Sequence, residues 1–128
     1  MDKKTVSKEN RYFLVDLETL SWEDLKRLQF EKTKETLDRA YAQSGFYRDL
    51  FDKAKVKPAD FSTLDDIRRF PFIGKKDLVM DQKENPPFGR RVCVSPGDIR
   101  RINLTSGTSG MGQEVHCHDE GAIYAANA

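Results

Sequence analysis

Cysteine is scarce in this chain, tryptophan scarcer still, and an apolar run of membrane-spanning length is missing altogether. With only Cys93 and Cys117, the disulfide framework that staples small secreted domains is excluded. No stretch approaches the ~18 consecutive apolar residues of a membrane helix. The opening MDKKTVSKENRYFLVDLETL lacks the apolar segment of a secretory leader. An excess of one charge is missing too. The 22 Lys and Arg stand against 21 Asp and Glu, a net charge of +1, which leaves no electrostatic footprint for nucleic acid or an anionic membrane. Internal repeats and low-complexity tracts are also absent. The expectation is a cytoplasmic protein in a reducing compartment, without nucleic-acid or membrane partners. Asn103-Leu104-Thr105 matches a glycosylation sequon, but that use requires secretion and is set aside.

What is present supports a folded domain. The 128 residues suggest one domain, and Leu, Ile, Val and Phe make up about a quarter of them, above the range of disordered chains. Charged residues reach 34% and mean hydropathy is −0.70. So polar a chain has little apolar surface to bury. In KETLDRAYAQSGFYRDLFDKAK the charges alternate in sign, as on a solvated helix face.

Residues 1–20 are weakly patterned and are read as an arm or short helix. Ser21-Trp22-Glu23-Asp24 looks like a capping box. Trp22, Leu25, Leu28, Leu37 and Tyr41 follow near helical spacing, so a long helix is expected to about Gln43, with Ser44-Gly45 as its stop. FYRDLFDKA reads as a second helix. Ser62-Thr63-Leu64-Asp65 repeats the capping pattern before a short helix that Pro71 ends. KKDLVMDQ reads as another helix, with Lys75-Lys76 as its exposed start rather than a catalytic pair. ENPPFG is a loop. Beyond Gly89 the character changes: Arg91 to Val94 is β-prone, SPGD is a turn, and Ile99–Leu104 and Glu114–His118 read as strands. Asp119 is placed to cap a final helix starting EGAIYAANA.

Between those two strands lies TSGTSGMG, three glycines and four hydroxyls in eight residues. Glycine permits positive φ and close approach of an anion to the main chain. The hydroxyls of Thr105, Ser106, Thr108 and Ser109 add donors, so the loop suits a polyphosphate. It lacks a cation of its own; the nearest are Arg100 and Arg101. Gly107 and Gly112 have Walker A spacing, but Gln113-Glu114 replace the Lys-Ser/Thr that motif needs. Gly107-Thr108-Ser109-Gly110-Met111 has its second glycine one place early for a nucleophile elbow. A plain hairpin connection is the competing reading, against which stands the length, since hairpin loops usually take two to five residues.

LTSGTSGMGQEVH resembles the phosphate-binding loop of adenylate-forming enzymes. The order of LQFEKTKETLDRAYAQSGFYRDLFDKAKVKPADFSTLDDIRRFPFIGKKDL ahead of it resembles the phenylacetate–CoA ligase branch of the AMP-dependent acyl-CoA synthetases, over residues 28–118. The resemblance implies an α/β fold, α+β locally. A helical half would lead into the first strands and phosphate loop of an incomplete adenylation domain, with residues 21–128 the truncated N-terminal part of an AMP-binding domain and residues 1–20 an arm. It implies an AMP-forming acid–thiol ligase. A carboxylate attacks the α-phosphorus of ATP to give acyl-adenylate and pyrophosphate, and the CoA thiol then displaces AMP. ATP, Mg²⁺, CoA and a small carboxylic acid are the implied cofactors and substrates. Thr105, Ser106, Gly107, Thr108, Ser109 and Gly110 are the implied phosphate-binding residues.

The sequence departs from that family at Met111-Gly112-Gln113, where members often carry Lys-Pro or Arg-Pro. The Mg²⁺-binding, ribose-holding and catalytic-lysine elements have no counterpart in it, so no catalytic residue and no metal ligand is assigned, and a fragment inactive alone is expected. A stand-alone phosphate-binding module and a non-catalytic remnant stay open as alternatives. His116-Cys117-His118 offers at most two ligands on one strand face and is read as a polar pair. Cys93 and Cys117 are read as small apolar residues, and Trp22, Phe46 and Phe51 as packing.

Overall fold

The computed structural model describes residues 12, 14–107, 110 and 112–122. Among these residues four helices precede one hairpin: α1 (Val15–Glu18), α2 (Trp22–Gln43), α3 (Gly45–Lys53), α4 (Lys75–Glu84), β1 (Arg101–Leu104) and β2 (Val115–His118). Short 3₁₀ turns at Pro58–Asp60, Leu64–Arg69 and Pro96–Asp98 link them.

Local chemistry sets the boundaries. Ser21 Oγ accepts the Asp24 amide at 3.1 Å and starts α2. Ser44, fully buried, separates α2 from α3: its extended backbone (φ −112°, ψ 118°) ends one helix, and its Oγ accepts the Tyr47 amide at 3.2 Å to start the next. Gly45 is therefore the first residue of α3 and not a terminator. A Cβ there would lie 2.6 Å from Arg90 Nη2.

The second capping box falls one residue later than the sequence suggests. Asp66, not Asp65, accepts from the Thr63 amide (2.7 Å), the Ser62 amide (3.0 Å) and Thr63 Oγ1 (3.0 Å). The Thr63 amide, then the Ser62 amide and the Thr63 hydroxyl, hold the Asp66 carboxyl below its ordinary value of 3.8. A depressed carboxyl contributes stability that is present above its unfolded pKa and lost as pH falls through the folded one. Asp66→Asn is expected to weaken the acid dependence of the melting temperature below about pH 4. Parallel melting curves of wild type and variant between pH 3 and 7 check this. Unchanged acid dependence would exclude the cap as its source.

The core is aromatic. Leu37, Phe51, Val56, Phe61 and Phe70 are buried, with Phe30, Tyr41, Tyr47, Leu50 and Leu64 packed around them. Phe30 stacks on Phe61 at 5.1 Å, and Phe70 meets Phe51 edge-on at 5.1 Å. α2 meets this core through Phe30, Leu37 and Tyr41. Trp22 is 66% exposed, with Lys26 Nζ 5.5 Å from its ring centroid. It does not pack as the sequence pattern suggests, whereas Leu25 and Leu28 on the same helix are half-buried. Phe51 is core and Phe46 half-buried, as expected.

β1 and β2 pair antiparallel, with Leu104 opposite Val115 and Arg101 opposite His118. Arg91 to Val94 forms no strand. Arg91 is instead buried as a connector: Nη1 donates to the Leu78 carbonyl at 3.1 Å, and Nη2 donates to the Val115 carbonyl. At the end of β2 the Asp119 carboxylate accepts the Ala122 amide at 2.8 Å, the cap expected there. The remainder of that expected helix lies outside the described residues.

Candidate functional site

The glycine loop joins β1 to β2, and its two ends are fixed from both sides. On the β1 side the Thr105 amide donates to the Glu114 carbonyl at 3.1 Å, and the Glu114 amide returns to Thr105 Oγ1 at 2.9 Å. On the other side lies α4. The Val115 amide donates to Gln82 Oε1 at 2.9 Å, and Gln82 Nε2 reaches the Gln113 carbonyl at 3.5 Å. Gly112 rests on the same helix, where a Cβ would lie 3.3 Å from Val79 Cγ1. The sequence reading missed Gln82 and Arg91. Neither belongs to a motif, and only the fold brings α4 against β2.

Within the loop the backbone is left-handed at three glycines: Gly107 (φ +69°), Gly110 (φ +72°) and Gly112 (φ +109°). The Gly110 amide donates to the Gly107 carbonyl at 3.1 Å, closing a tight turn. Of the six residues singled out by sequence, Thr105 is half-buried at the neck, Gly107 is half-buried above it, and Ser106 and Gly110 are exposed. Thr108 and Ser109 lie outside the described residues. The amides of Thr105 and Gly110 are engaged by peptide carbonyls, so these two shape the loop. Arg100 and Arg101 stand at the opposite end of the hairpin. Arg100 donates to the Gly97 carbonyl at 2.9 Å, and about 13 Å of strand separates Arg101 from Thr105.

Other chemistry-bearing groups are dispersed. Among the described residues no three His, Cys, Asp or Glu side chains converge to hold a metal ion. His116 is exposed, with Nε2 3.9 Å from Glu114 Oε2, while His118 Nε2 lies 3.3 Å from Asn103 Nδ2. Cys93 and Cys117 are unpaired, and burial pushes both thiols up from 9.0. An open cleft of about 830 Å³ beside Ser95 and Gly121 mixes Arg39 and Arg100 with Asp98, Asp119 and Glu120, and so carries no net preference for an anion. No helix among the described residues is long and apolar enough to cross a membrane.

No family model matches the chain. Sequence relatives do. It is 40% identical over 94 residues to the phenylacetate-coenzyme A ligase of Escherichia coli (strain K12), covering 73% of this chain and 20% of that one. The corresponding ligase of Thermus thermophilus is 39% identical over 95 residues, covering 74% and 20%. Among solved structures, 2-hydroxyisobutyryl-CoA ligase in complex with 2-HIB-AMP and CoA in the thioesterification state superposes with a TM-score of 0.81 at 28% identity, over 93% of this chain and 25% of that one. The same ligase in an open conformation gives 0.71 over 81% of this chain. Over the span covered, the chain thus shares the fold of these adenylate-forming ligases. The chain spans about a fifth of the length of the curated relatives it matches, and over that span it is similar to phenylacetate–CoA ligases.

Proposed function

We propose that this segment is the phosphate-gripping part of an AMP-forming acid–CoA ligase, with residues 21–128 the N-terminal portion of its adenylation domain and residues 1–20 an arm. The observation that carries the reading is the fit of the chain to a ligase held with its acyl-adenylate and CoA, at a TM-score of 0.81 over 93% of its length. In that reaction a carboxylic acid attacks the α-phosphorus of ATP, pyrophosphate leaves, and the CoA thiol displaces AMP. Leaving-group charge must be stabilised by donors already in place. A loop of left-handed glycines on a braced neck suits that task, because its donors need little reorganisation when the anion arrives. The stretch Thr105 to Gly110 is assigned to the β- and γ-phosphates. Within it Thr105 and Gly110 shape the loop, and Thr108 and Ser109 are assigned as the side-chain donors. Mg²⁺ neutralises phosphate charge when bound, and its ligands are assigned to no residue of this segment. Two free thiols fit a reducing cytoplasm.

The test uses the chain alone. Calorimetric titration with ATP and with inorganic tripolyphosphate is expected to give saturable binding of both. Titrations without heat or saturation, at concentrations where the chain is folded, would remove the phosphate reading. The same preparation is expected to show no acid-dependent ATP–pyrophosphate exchange, since the catalytic elements implied by the ligase relationship are not assigned to it. Exchange above the no-enzyme background would overturn that second expectation.

A further inference from the structure

Antiparallel pairing satisfies only one edge of β2. Leu104 and Val115 are opposite residues, and the inter-strand bonds fall on the neighbouring Thr105–Glu114 pair. The amide and carbonyl of Val115 therefore point away from β1. A third strand would normally take them, since an unpaired strand edge is costly when buried and a template for aggregation when exposed. Here two side chains do so. The Gln82 carboxamide presents an oxygen to the Val115 amide at 2.9 Å and a nitrogen toward the Gln113 carbonyl at 3.5 Å, in the pattern of a strand peptide group. The Arg91 guanidinium takes the Val115 carbonyl and ties it back to the Leu78 carbonyl on α4.

This edge continues into the loop. Gln113 lies against Gly107, where a Cβ would be 3.0 Å from Gln113 Cγ. Gln82 thus fixes Gln113, and Gln113 packs over the first left-handed glycine. We propose that Gln82 is a positioning residue: its carboxamide stands in for a missing strand and sets the height and tilt of the glycine loop from α4, without touching the anion. The effect on phosphate binding rests on the function proposed above; the mechanical coupling of α4 to the loop does not. Glutamine suits the role chemically. Leucine keeps the bulk and loses both arms. Glutamate keeps an acceptor for Val115 but turns a carboxylate oxygen on the Gln113 carbonyl.

The experiment is residue-resolved amide exchange and chemical shift on the full 128-residue chain, with Gln82→Leu and Gln82→Glu beside wild type, each titrated with inorganic tripolyphosphate. In the leucine variant the Val115 amide is expected to exchange about five- to tenfold faster, the scale of one lost hydrogen bond. The Gly107 and Gly110 resonances should shift, tripolyphosphate affinity should fall severalfold, and the amides of α2 should stay protected. The glutamate variant should keep most of the Val115 protection. Unchanged Val115 exchange in the leucine variant would overturn the proposal. So would faster exchange with unmoved Gly107 and Gly110 signals, or a rise across α2 and α3 that marks general destabilisation. If wild type itself binds no tripolyphosphate, the phosphate reading fails, and the shifts at Gly107 and Gly110 alone decide whether Gln82 positions the loop.

Discussion

Phe61→Ala is expected to cost about 3–5 kcal/mol, the range for truncating a buried aromatic, and to leave the chain largely unfolded at 37 °C. Phe61 is 1% exposed, the most enclosed apolar side chain of the core. It stacks on Phe30 of α2 at 5.1 Å and meets Phe70 edge-on at 6.4 Å. Phe70 in turn contacts Phe51 of α3. One ring thus joins α2, α3 and the segment leading to α4. Domain stabilities are about 5–15 kcal/mol, and the cluster around Phe61, five buried apolar residues among those described, has little to spare. Phe72 supplies the control. It is two residues beyond Phe70 and 99% exposed, so Phe72→Ala should stay within about 0.5 kcal/mol of wild type. Urea denaturation of the three proteins measures both. Equal midpoints for the two variants would show that burial at Phe61 does not hold the helices together.

Much of the helical half is legible in the sequence because its signals are local. Ser21 and Asp24 mark the start of α2, and Pro71 closes the 3₁₀ turn region, through bonds or clashes spanning a few residues. Errors arise where tertiary context decides. Trp22 falls on the periodic face of α2, yet whether a face is buried depends on a partner helix that local spacing does not reveal. Arg91 to Val94 has strand-like composition, but a strand needs a neighbour, and Arg91 spends its guanidinium on carbonyls from two elements instead. The loop is visible as composition: glycines that require positive φ, flanked by β-prone runs. Its mounting is not. Gln82 lies about 30 residues before its partners, in a helix whose pattern gives no reason to single it out.

Gly107→Val tests the loop where its geometry is tightest, and the expected result is loss of tripolyphosphate and ATP binding by tenfold or more, about 1.4 kcal/mol. Two costs combine. A β-branched residue at φ +69° sits in a region that L side chains avoid, at about 1–3 kcal/mol. Its Cβ would also meet Gln113 Cγ at 3.0 Å and the Gly112 carbonyl carbon and oxygen at 3.6 Å. The Gln113 main chain is tied at its carbonyl to Gln82 and at the adjoining Glu114 to Thr105, so relief of this contact must come from rotation of its side chain. Gly110→Val separates the two costs. Gly110 shares the left-handed backbone, at φ +72°, but a Cβ there meets nothing within 4 Å. Strain alone should therefore weaken binding less at Gly110 than strain and crowding together do at Gly107. In a full-length ligase carrying this segment, the same order should appear in the rate of acid-dependent ATP–pyrophosphate exchange. A Gly107 variant that binds within twofold of wild type would mean that the anion does not approach the main chain there, and the loop would then be only a connection between two strands.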